Sequence, residues 1–340
     1  MQNRLPFSYF DTKANHNGLG RAMWFENINV MFDVNLNIQK DAAFFAEVGA
    51  ILLGDTVVGQ SSSVSQSFER SRYRTARDGL SHYLVQFYVG GRCGDRSWAE
   101  SEWTRPGDLL VVDLAQPLMT AATDFSNLNL IIPRRLLAPL LVSPDSHHLR
   151  IIRSELPMVR ILRSHVAELM GAGPQLRPAE GLAILQPTLQ IVAAILNGED
   201  ARDLDTPGVH ASLQLEIRRF IQAELSNPDL NADTVAARFG ISRRKLYYLF
   251  EGDGGFISYL RARRLEAIRG ALIDPKQADR SISEIANRFC FGNRSGLVGA
   301  FRRAYGLVPR EARAFGQLGS NGNDASPLHA AWRSWIQCSR

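Results

Sequence analysis

Two short segments in the C-terminal third of the chain place basic and aromatic side chains on the outside of helices that bury leucine and phenylalanine. Leu246, Leu249 and Phe250 mark the buried face of the first segment, and Leu297 and Phe301 that of the second. The candidate binding residues are Arg243, Arg244, Lys245, Tyr247 and Tyr248 in the first segment, and Asn293, Arg294, Ser295, Val298, Arg302 and Arg303 in the second. Arginines either hold phosphates or read guanine edges, so both segments indicate contact with DNA.

The distribution of charge supports a polyanionic ligand for this region. Residues 210–315 hold 18 Lys and Arg against 11 Asp and Glu, a net charge of +7, whereas the whole chain carries +5. The remaining residues hold 21 basic and 23 acidic side chains. A basic third beside a near-neutral remainder is typical of a nucleic-acid-binding module. A basic face that contacts only water is the alternative.

Local signals predict the elements that position these side chains. After an amphipathic helix over 213–225, Asn231 caps a second helix, Gly240 provides a tight corner, and Ser242 caps the helix that carries the first candidate set. The same order of a capped helix, a turn and a second helix begins again at Ser281, 50 residues after Asn231, with a capping-box pattern. The helix predicted over 257–273 between the two units spans about 25 Å. Two such units fit successive major-groove segments about 34 Å apart on one face of DNA.

Four segments of this region together resemble the AraC/XylS family of bacterial transcription regulators. They read GISRRKLYYLFE, YLRARRLEA, SISEIANRFCF and FRRAYGLVPREAR, and the resemblance covers 212–316 without a large gap. It implies seven helices, of which two are recognition helices. Carried over position by position, it implies that bases are read by Arg244, Tyr247 and Tyr248 in the first unit, and by Arg294, Ser295, Val298 and Gly299 in the second.

The sequence departs from the family pattern mainly in the second unit. Cys290 stands where a turn glycine is usual, and Ile268 where the linking helix usually has alanine. Gly296 and Gly299 lie inside the second recognition helix, and each costs about 1 kcal/mol relative to alanine. We therefore expect the first unit to dominate sequence specificity and the second mainly to bind the DNA backbone.

Three residues of this domain have an alternative interpretation. Tyr247 and Tyr248 either contact DNA or pack against the linking helix. Cys290 is either a redox sensor or a small buried turn residue, and the second interpretation is favoured.

The N-terminal part changes from strand-like to helical patterns. Short β-rich runs over 44–132 predict antiparallel strands, with a turn at 105–108, and the period becomes helical over 134–196. The predicted fold class is α+β, with an antiparallel sandwich or barrel followed by helices and a C-terminal all-α domain. The predicted division is an arm (1–31), a sensor and dimerisation domain (32–197), a linker (198–211), the DNA-binding domain (212–316) with its two helix-turn-helix units (231–252 and 281–305), and a tail (317–340).

Three further segments resemble the sensor domain of a subgroup of the same family. They are RSRYRTARDGLSHYLVQFYVGG, RPGDLLVVDLAQPL and NLNLIIPRRLL. The resemblance implies a cupin-like barrel with an effector pocket, a dimerisation role, or both. Aromatic side chains suit a mostly apolar pocket, so the candidate lining residues are Tyr83, Phe87, Trp98 and Trp103, with ordinary core or surface positions as the alternative.

Two leucine-rich stretches follow the predicted barrel. Helices over 161–170 and 182–196 either form a dimer contact or pack on the barrel. The stretch 181–196 includes Gln186, Pro187 and Gln190, and is too short and too polar to span a bilayer.

The sequence gives little support for catalysis, a metal or a cofactor. His82 stands alone, and His147 and His148 are adjacent in a predicted loop, where they suit a metal poorly. A DNA-targeted repair enzyme needs clustered reactive cysteines, but Cys93 and Cys338 are isolated. An odd number of cysteines, three in all, fits a reducing cytosol rather than a disulfide framework. No signal peptide is expected.

These observations predict a cytoplasmic, sequence-specific DNA-binding regulator. By the family resemblance, we expect a homodimeric activator that responds to a small-molecule effector, binds promoter DNA and contacts RNA polymerase. A regulator controlled by a protein partner alone is the alternative.

Overall fold

The computed structural model describes residues 4–12, 20–38, 43–203, 209–291, 294–318 and 335. The chain divides into two compact units. The N-terminal unit comprises Met1–Ser71, Leu80–Gly198 and Asn323–Arg340, and the C-terminal unit comprises Arg72–Gly79 and Glu199–Gly322. The predicted α+β organisation is confirmed, because antiparallel sheets occupy the first unit and helices the second.

Two antiparallel sheets form the N-terminal unit. The larger has the order β1-β3-β4-β10-β6-β8-β11 and the smaller the order β2-β5-β9-β7. Their bounds are β1 Phe7–Asp11, β2 Asp33–Leu36, β3 Ala46–Leu53, β4 Thr56–Ser63, β5 Gln66–Arg70, β6 His82–Gly90, β7 Cys93–Asp95, β8 Leu109–Asp113, β9 Leu118–Ala122, β10 Phe125–Pro133 and β11 Arg150–Ile152. The strand pairings of the described residues do not join the two sheets, so the expected barrel is not closed by backbone hydrogen bonds.

Each face of the larger sheet is buried, against different partners. On β6, Tyr83, Val85 and Phe87 belong to a core that lies under helices. Leu84 and Tyr88, at alternate positions, belong to the core between the two sheets. Successive side chains of a strand point to opposite faces, and fully burying one large apolar side chain contributes about 1.5–3 kcal/mol. A strand that is apolar on both faces is therefore held from both sides.

The helices of the N-terminal unit include α1 (Gly20–Ile28), α3 (Arg134–Leu137), α4 (Pro157–Ala172) and α5 (Pro178–Asp203). On α4 and α5, Leu162, Val166 and Leu189 pack in the core under the larger sheet. Most of the leucine-rich surface offered as a dimer contact is therefore packed within the unit. Ile161 and Leu182 remain 55% and 58% exposed.

Helix α5 differs from its predicted bounds. It begins earlier than expected, contains Pro187 in its interior and continues to Asp203, into the predicted linker. Its segment Pro178–Gly198 is long and apolar enough to cross a membrane by length and composition. Because Leu185, Leu189, Val192 and Leu196 are buried against the sheet, the same apolar character is explained by core packing.

The N-terminal arm contributes a strand that the sequence pattern did not predict. Strand β1 pairs antiparallel with β3, from Phe7 opposite Ile51 to Asp11 opposite Glu47. The Tyr9 hydroxyl donates a 2.9 Å hydrogen bond to Glu47 Oε1. The predicted arm also contains the helix α1.

Seven α-helices follow one another in the described part of residues 209–318, the number that the resemblance implies. They are α6 Val209–Ala223, α7 Ala232–Arg238, α8 Arg243–Leu249, α9 Phe256–Ile273, α10 Ile282–Arg288, α11 Arg294–Tyr305 and α12 Pro309–Leu318. Helices α6, α7 and α8 pack on the first part of α9, and α10, α11 and α12 on its second part. The unit thus has two small cores connected by one helix.

An eighth helix of this unit comes from elsewhere in the sequence. Helix α2 (Arg72–Asp78) lies between β5 and β6 in the chain but belongs to the C-terminal unit. Its Ala76 is fully buried in the core that contains Leu272 and Ala312. The sequence analysis did not predict this insertion.

Candidate functional site

The first pair of short helices, α7 and α8, is built from strong local signals. Asn231 Oδ1 accepts hydrogen bonds from the backbone N–H groups of Asp233 (2.9 Å) and Thr234 (3.1 Å). Gly240 turns the chain with a φ of 63°, and Ser242 Oγ accepts from the Lys245 N–H at 3.1 Å. Capping fixes where each helix begins, and the left-handed glycine fixes the corner between them. The predicted caps and turn are confirmed.

Helix α8 presents the first candidate set at the surface. Leu246 and Leu249 are buried, whereas Arg243, Arg244, Tyr247 and Tyr248 are exposed and Lys245 is half-buried. The Arg243 guanidinium lies 3.2 Å from Asp233, at a surface where an ion pair contributes little. It can therefore exchange its partner for phosphate.

The two tyrosines differ in their surroundings. The ring of Tyr247 lies edge-on to Phe256 of α9, 6.5 Å between centroids, and Tyr247 is 38% exposed. Tyr248 is 54% exposed, and Lys245 Nζ lies 5.3 Å from its ring centroid. Packing on the linking helix therefore applies to Tyr247, which still keeps an exposed edge.

A buried arginine supports α8 from behind. Arg218 of α6 is 4% exposed and its guanidinium lies over the rings of Phe250 (5.0 Å) and Tyr259 (4.5 Å). Its Nη2 forms an ion pair of 2.5 Å with Asp253. These contacts join α6, the end of α8 and α9, so the exposed face of α8 is held on a rigid base.

The second pair, α10 and α11, repeats this construction with one strained corner. Ser281 Oγ accepts from the Glu284 N–H (3.1 Å), and the Ser281 N–H donates to Glu284 Oε2 (2.6 Å). This hydrogen bonding lowers the pKa of the Glu284 carboxyl. Cys290 follows Phe289 as Gly240 follows Phe239, and has a φ of 57°. A side chain in this left-handed region costs roughly 1–2 kcal/mol, so the cysteine replaces the expected glycine at an energetic cost.

The second candidate set is only partly described. On α11, Leu297 and Phe301 are buried, Val298 is half-buried, and Arg302 and Arg303 are exposed. Asn293 lies outside the described residues, as do the side chains of Arg294 and Ser295. A Cβ added at Gly299 would lie 3.6 Å from Arg303 Nη1, in ordinary contact. The glycine therefore leaves space on this face that a longer side chain would fill.

Helix α9 spaces the two pairs. It has 18 residues, which corresponds to about 27 Å. Its Phe256, Tyr259 and Leu260 pack in the first core and its Leu265, Ile268 and Leu272 in the second. The family departure at Ile268 is fully buried there. One continuous helix thus carries both pairs, which suits binding of two neighbouring groove segments.

A second candidate site is a cavity of about 40 Å³ between the two sheets of the N-terminal unit. One water molecule needs roughly 10–15 Å³, so the cavity has room for a small group. Its apolar wall consists of Trp24, Ile28, Met31, Phe32, Phe68 and Phe125.

Five polar residues of the larger sheet line this cavity: Gln60, and four whose side chains bond to one another, Ser61, Gln86, Asn127 and Asn129. Ser61 Oγ donates to Asn127 Oδ1 at 2.6 Å. Asn129 Nδ2 donates to Asn127 Oδ1 (2.9 Å) and to Ser61 Oγ (3.2 Å), and Gln86 Nε2 donates to Asn129 Oδ1 (2.9 Å). The four side chains form one connected network across β4, β10 and β6.

The cavity does not include the four aromatic residues proposed from the sequence. Tyr83 and Phe87 lie on the opposite face of β6, under the helices, and the Tyr83 hydroxyl donates to the Pro144 carbonyl oxygen at 2.7 Å. Trp98 and Trp103 are half-buried in the segment after β7, where Trp103 covers Gly94. The polar residues that do face the cavity were missed, although two asparagines inside a strand were a usable signal.

The three histidines considered as metal ligands and the described cysteines occupy structural positions. His82 is buried at the start of β6. His147 and His148 lie in a turn, as expected, and the Asp113 N–H donates to His148 Nδ1 at 3.3 Å. Burial raises the pKa of the Cys93 thiol to about 11. Cys290 is half-buried rather than fully buried, and Cys338 lies outside the described residues.

Two family models match the chain. The model of the AraC-binding-like domain matches residues 28–197, half of the chain, and that of a helix-turn-helix domain matches residues 235–314. The chain belongs to the AraC/XylS family of transcription regulators. The first match covers both sheets from β2 onward, and the second runs from within α7, through α8 and the second helix pair, into α12.

Individual AraC/XylS proteins are similar to this chain over different lengths. The XylDLEGF operon transcriptional activator of Pseudomonas putida is 35% identical over 95 residues, which are 27% of this chain and 29% of that protein. The chain thus matches less than a third of that relative's length. Transcriptional activator NphR of a Rhodococcus species is 22% identical over 88% of this chain and 90% of its own. The crystal structure of the AraC-like transcriptional activator CuxR, 23% identical, covers 76% of this chain and 94% of its own with a TM-score of 0.53, which shows a shared fold.

Proposed function

We propose that this protein is a transcription activator that binds promoter DNA through two helix-turn-helix units, α7–α8 and α10–α11. The observation that carries the proposal is the repeated pair of capped helices on one continuous helix, each presenting exposed arginines. The family membership and the similarity to named transcriptional activators support the direction of regulation. Such a regulator works in the cytoplasm, where it contacts RNA polymerase at the promoter.

Mapping of genomic DNA fragments bound by the purified full-length chain, at two salt concentrations, tests the DNA-binding part. We expect discrete sites that contain two short elements about one helical turn apart, and an affinity that falls steeply with salt because phosphate contacts release counterions. Uniform binding without a preferred sequence would contradict sequence-specific recognition by two helix-turn-helix units.

We further propose that a small-molecule effector binds the cupin-like N-terminal unit, in the cavity between its sheets. The cavity combines an apolar wall with a few convergent polar groups, which is the usual composition of a ligand site. A ligand at 100-fold excess over its Kd adds about 2.7 kcal/mol of stability, so a thermal-shift screen of metabolites detects it. If no metabolite raises the melting temperature, control by a protein partner becomes the better explanation.

The proposed active form is a homodimer. Ile161 and Leu182 are exposed apolar side chains on α4 and α5, outside the core that the rest of these helices builds. Sedimentation of the wild type and of Ile161→Glu and Leu182→Glu variants tests this surface. A dimer that persists in both variants would place the interface elsewhere.

A further inference from the structure

The polar wall of the cavity goes against the local preferences of β-strands. Asn127 and Asn129 stand in the middle of β10, and asparagine is depleted in strands. Their neighbours Leu128 and Leu130 face the helix-covered core, so the two asparagines occupy the face between the sheets. Residues that break local rules are expected where function requires them. The network therefore points to a ligand rather than to folding alone.

The cavity contains no formal charge. Among the sixteen described lining residues there is no Asp, Glu, Lys, Arg or His. An ionised ligand placed between Phe68 and Asn129 would lose its hydration without gaining a counter-charge from the lining. This loss is much larger for an ion than for an uncharged polar group that is hydrogen-bonded. The lining thus selects against carboxylates and ammonium groups.

The hydrogen-bond network leaves one amide available at its end. Asn129 uses both of its N–H groups and accepts one hydrogen bond from Gln86. Gln86 uses one N–H in that bond, and no described residue donates to its Oε1. Gln86 is half-buried, so an acceptor and a second N–H donor of the same side chain remain available at the cavity for a ligand to meet.

We propose that the cavity binds a compact, uncharged ligand whose apolar body packs against Trp24 and Phe68 and whose polar edge, one donor beside one acceptor, pairs with the Gln86 amide. A primary carboxamide on a short alkyl chain is the simplest molecule of this class that fits a cavity of about 40 Å³. The proposal rests on the proposed small-molecule control and adds the chemistry of the effector. The Asn127–Asn129–Ser61 network orients the Gln86 amide.

Matched probe triplets test the charge rule on the full-length chain. Acetamide, acetate and ethylammonium form one triplet of nearly equal size, and propionamide, propionate and propylammonium form a second, each small enough for a cavity of about 40 Å³. By titration calorimetry, we expect an amide to bind at least about tenfold more tightly than both charged members of its triplet. A charged member that binds as tightly as its amide would overturn the proposal, as would the failure of both amides to bind.

Substitutions at Gln86 test the assignment of the polar edge. Gln86→Glu should weaken amide binding about tenfold and make the ammonium probe the preferred member, because the cavity then carries a negative charge. Gln86→Met, which keeps the length without a hydrogen-bonding edge, should lose the amide preference without gaining one for ammonium. Gln186→Glu, exposed on α5, is the matched control and should change nothing. An unchanged preference in both folded Gln86 variants would contradict the assignment.

DNA binding by the same preparations separates this inference from the proposed function. Specific DNA binding without any amide preference would overturn the ligand class alone. If a charged probe binds in preference to its amide and alters the affinity for DNA, the protein is controlled by a small molecule, but the proposed uncharged ligand class is wrong. A preference for amides without specific DNA binding would support the proposed ligand class and contradict the proposed sequence-specific DNA binding.

Discussion

Arg269 Nη1 of α9 donates a 3.3 Å hydrogen bond to the backbone carbonyl oxygen of Thr75 in α2, which lies 194 residues earlier in the chain. Arg269 is 3% exposed, and its guanidinium lies 5.0 Å from the ring centroid of Tyr305. A segment inserted between two strands of the N-terminal unit thus completes the core around the second helix pair.

Arg269→Met should destabilise the C-terminal unit by about 1–3 kcal/mol, because it removes the donor from a buried carbonyl. Urea unfolding measures the loss, and amide hydrogen exchange should locate it in α2, α9 and α12. Arg261→Met, on an exposed part of the same helix, is the control. Equal effects of the two substitutions would show that the contact with α2 adds no stability.

Cys290→Gly should stabilise the protein by about 1 kcal/mol. The φ of 57° strains any side chain, and glycine removes this strain at the cost of a more flexible unfolded chain. The substitution also loses a weak contact of 3.6 Å between Cys290 Sγ and the Ser226 carbonyl oxygen.

Gly240→Ala is the reverse experiment at the equivalent corner, where φ is 63°. It should destabilise the protein by about 1 kcal/mol. Thermal unfolding of both variants compares the corners directly. A Cys290→Gly protein less stable than wild type would show that the thiol contact outweighs the strain.

Asp113→Asn should change how stability depends on pH. Asp113 is 1% exposed, and burial alone raises the pKa of its carboxyl. Arg134 at 2.6 Å and hydrogen bonds from Gln116 and Ala115 outweigh burial and hold the pKa below its usual value of 3.8. A folded-state pKa below the unfolded one stabilises the fold above pH 3.8, and this stability is lost as the pH falls through the folded value.

The Asn variant should lose about 3–5 kcal/mol near neutral pH, because Arg134 remains buried with one partner removed. It should also lack the steep part of the acid-induced loss seen in the wild type. Urea unfolding between pH 6 and 3 measures both effects. Asp55→Asn is the control. It breaks an ion pair between Arg135, whose side chain is 44% exposed, and Asp55, whose side chain is 56% exposed, and should lower the stability by less than about 1 kcal/mol. A similar pH profile for all three proteins would contradict the role of Asp113.

Arg244→Ala should change operator preference more than Arg294→Ala does. The first unit presents exposed arginine and tyrosine side chains on a rigid base, whereas the second contains Gly296 and Gly299. We expect Arg244→Ala to cost about 1–3 kcal/mol in discrimination, and Arg294→Ala to weaken binding to all sequences and reduce the salt slope by about one. Competition binding with randomised operators measures both.

Arg105→Ala, at an exposed position before β8, removes the same charge outside both the proposed DNA-binding surface and the proposed dimer surface, and is the control. If Arg244→Ala retains operator preference while Arg294→Ala abolishes it, the ranking of the two units is wrong.

Cys93 should resist alkylation at neutral pH. Its thiol is 2% exposed and burial raises its pKa to about 11, so the reactive thiolate is scarce. In a Cys338→Ser background, iodoacetamide should modify the half-buried Cys290 first, and Cys93 only on unfolding. Mass spectrometry of peptides over time follows this order, and early modification of Cys93 would contradict its burial.

Local chemistry in the sequence determined most of the C-terminal unit. Asn231, Ser242 and Ser281 cap helices through bonds to residues two or three positions away, so their signals can be read from short segments. The strand Leu109–Asp113 directly follows the predicted turn at 105–108, a local signal of the same kind. Spacing alone did not decide whether the exposed arginines contact bases or phosphates. The family resemblance added the expectation that Arg244 and Arg294 read bases.

Tertiary structure alone decided two features. On β6, Tyr83 and Phe87 on one face and Leu84 on the other are all buried and apolar, so alternation could not tell which face meets the cavity. That choice depends on where the second sheet packs. Helix α2 likewise packs in the C-terminal unit through contacts with distant residues, among them the hydrogen bond between Thr75 and Arg269, 194 residues later. A contact between residues so distant in sequence leaves no periodic pattern in either segment, and only the folded chain brings them together.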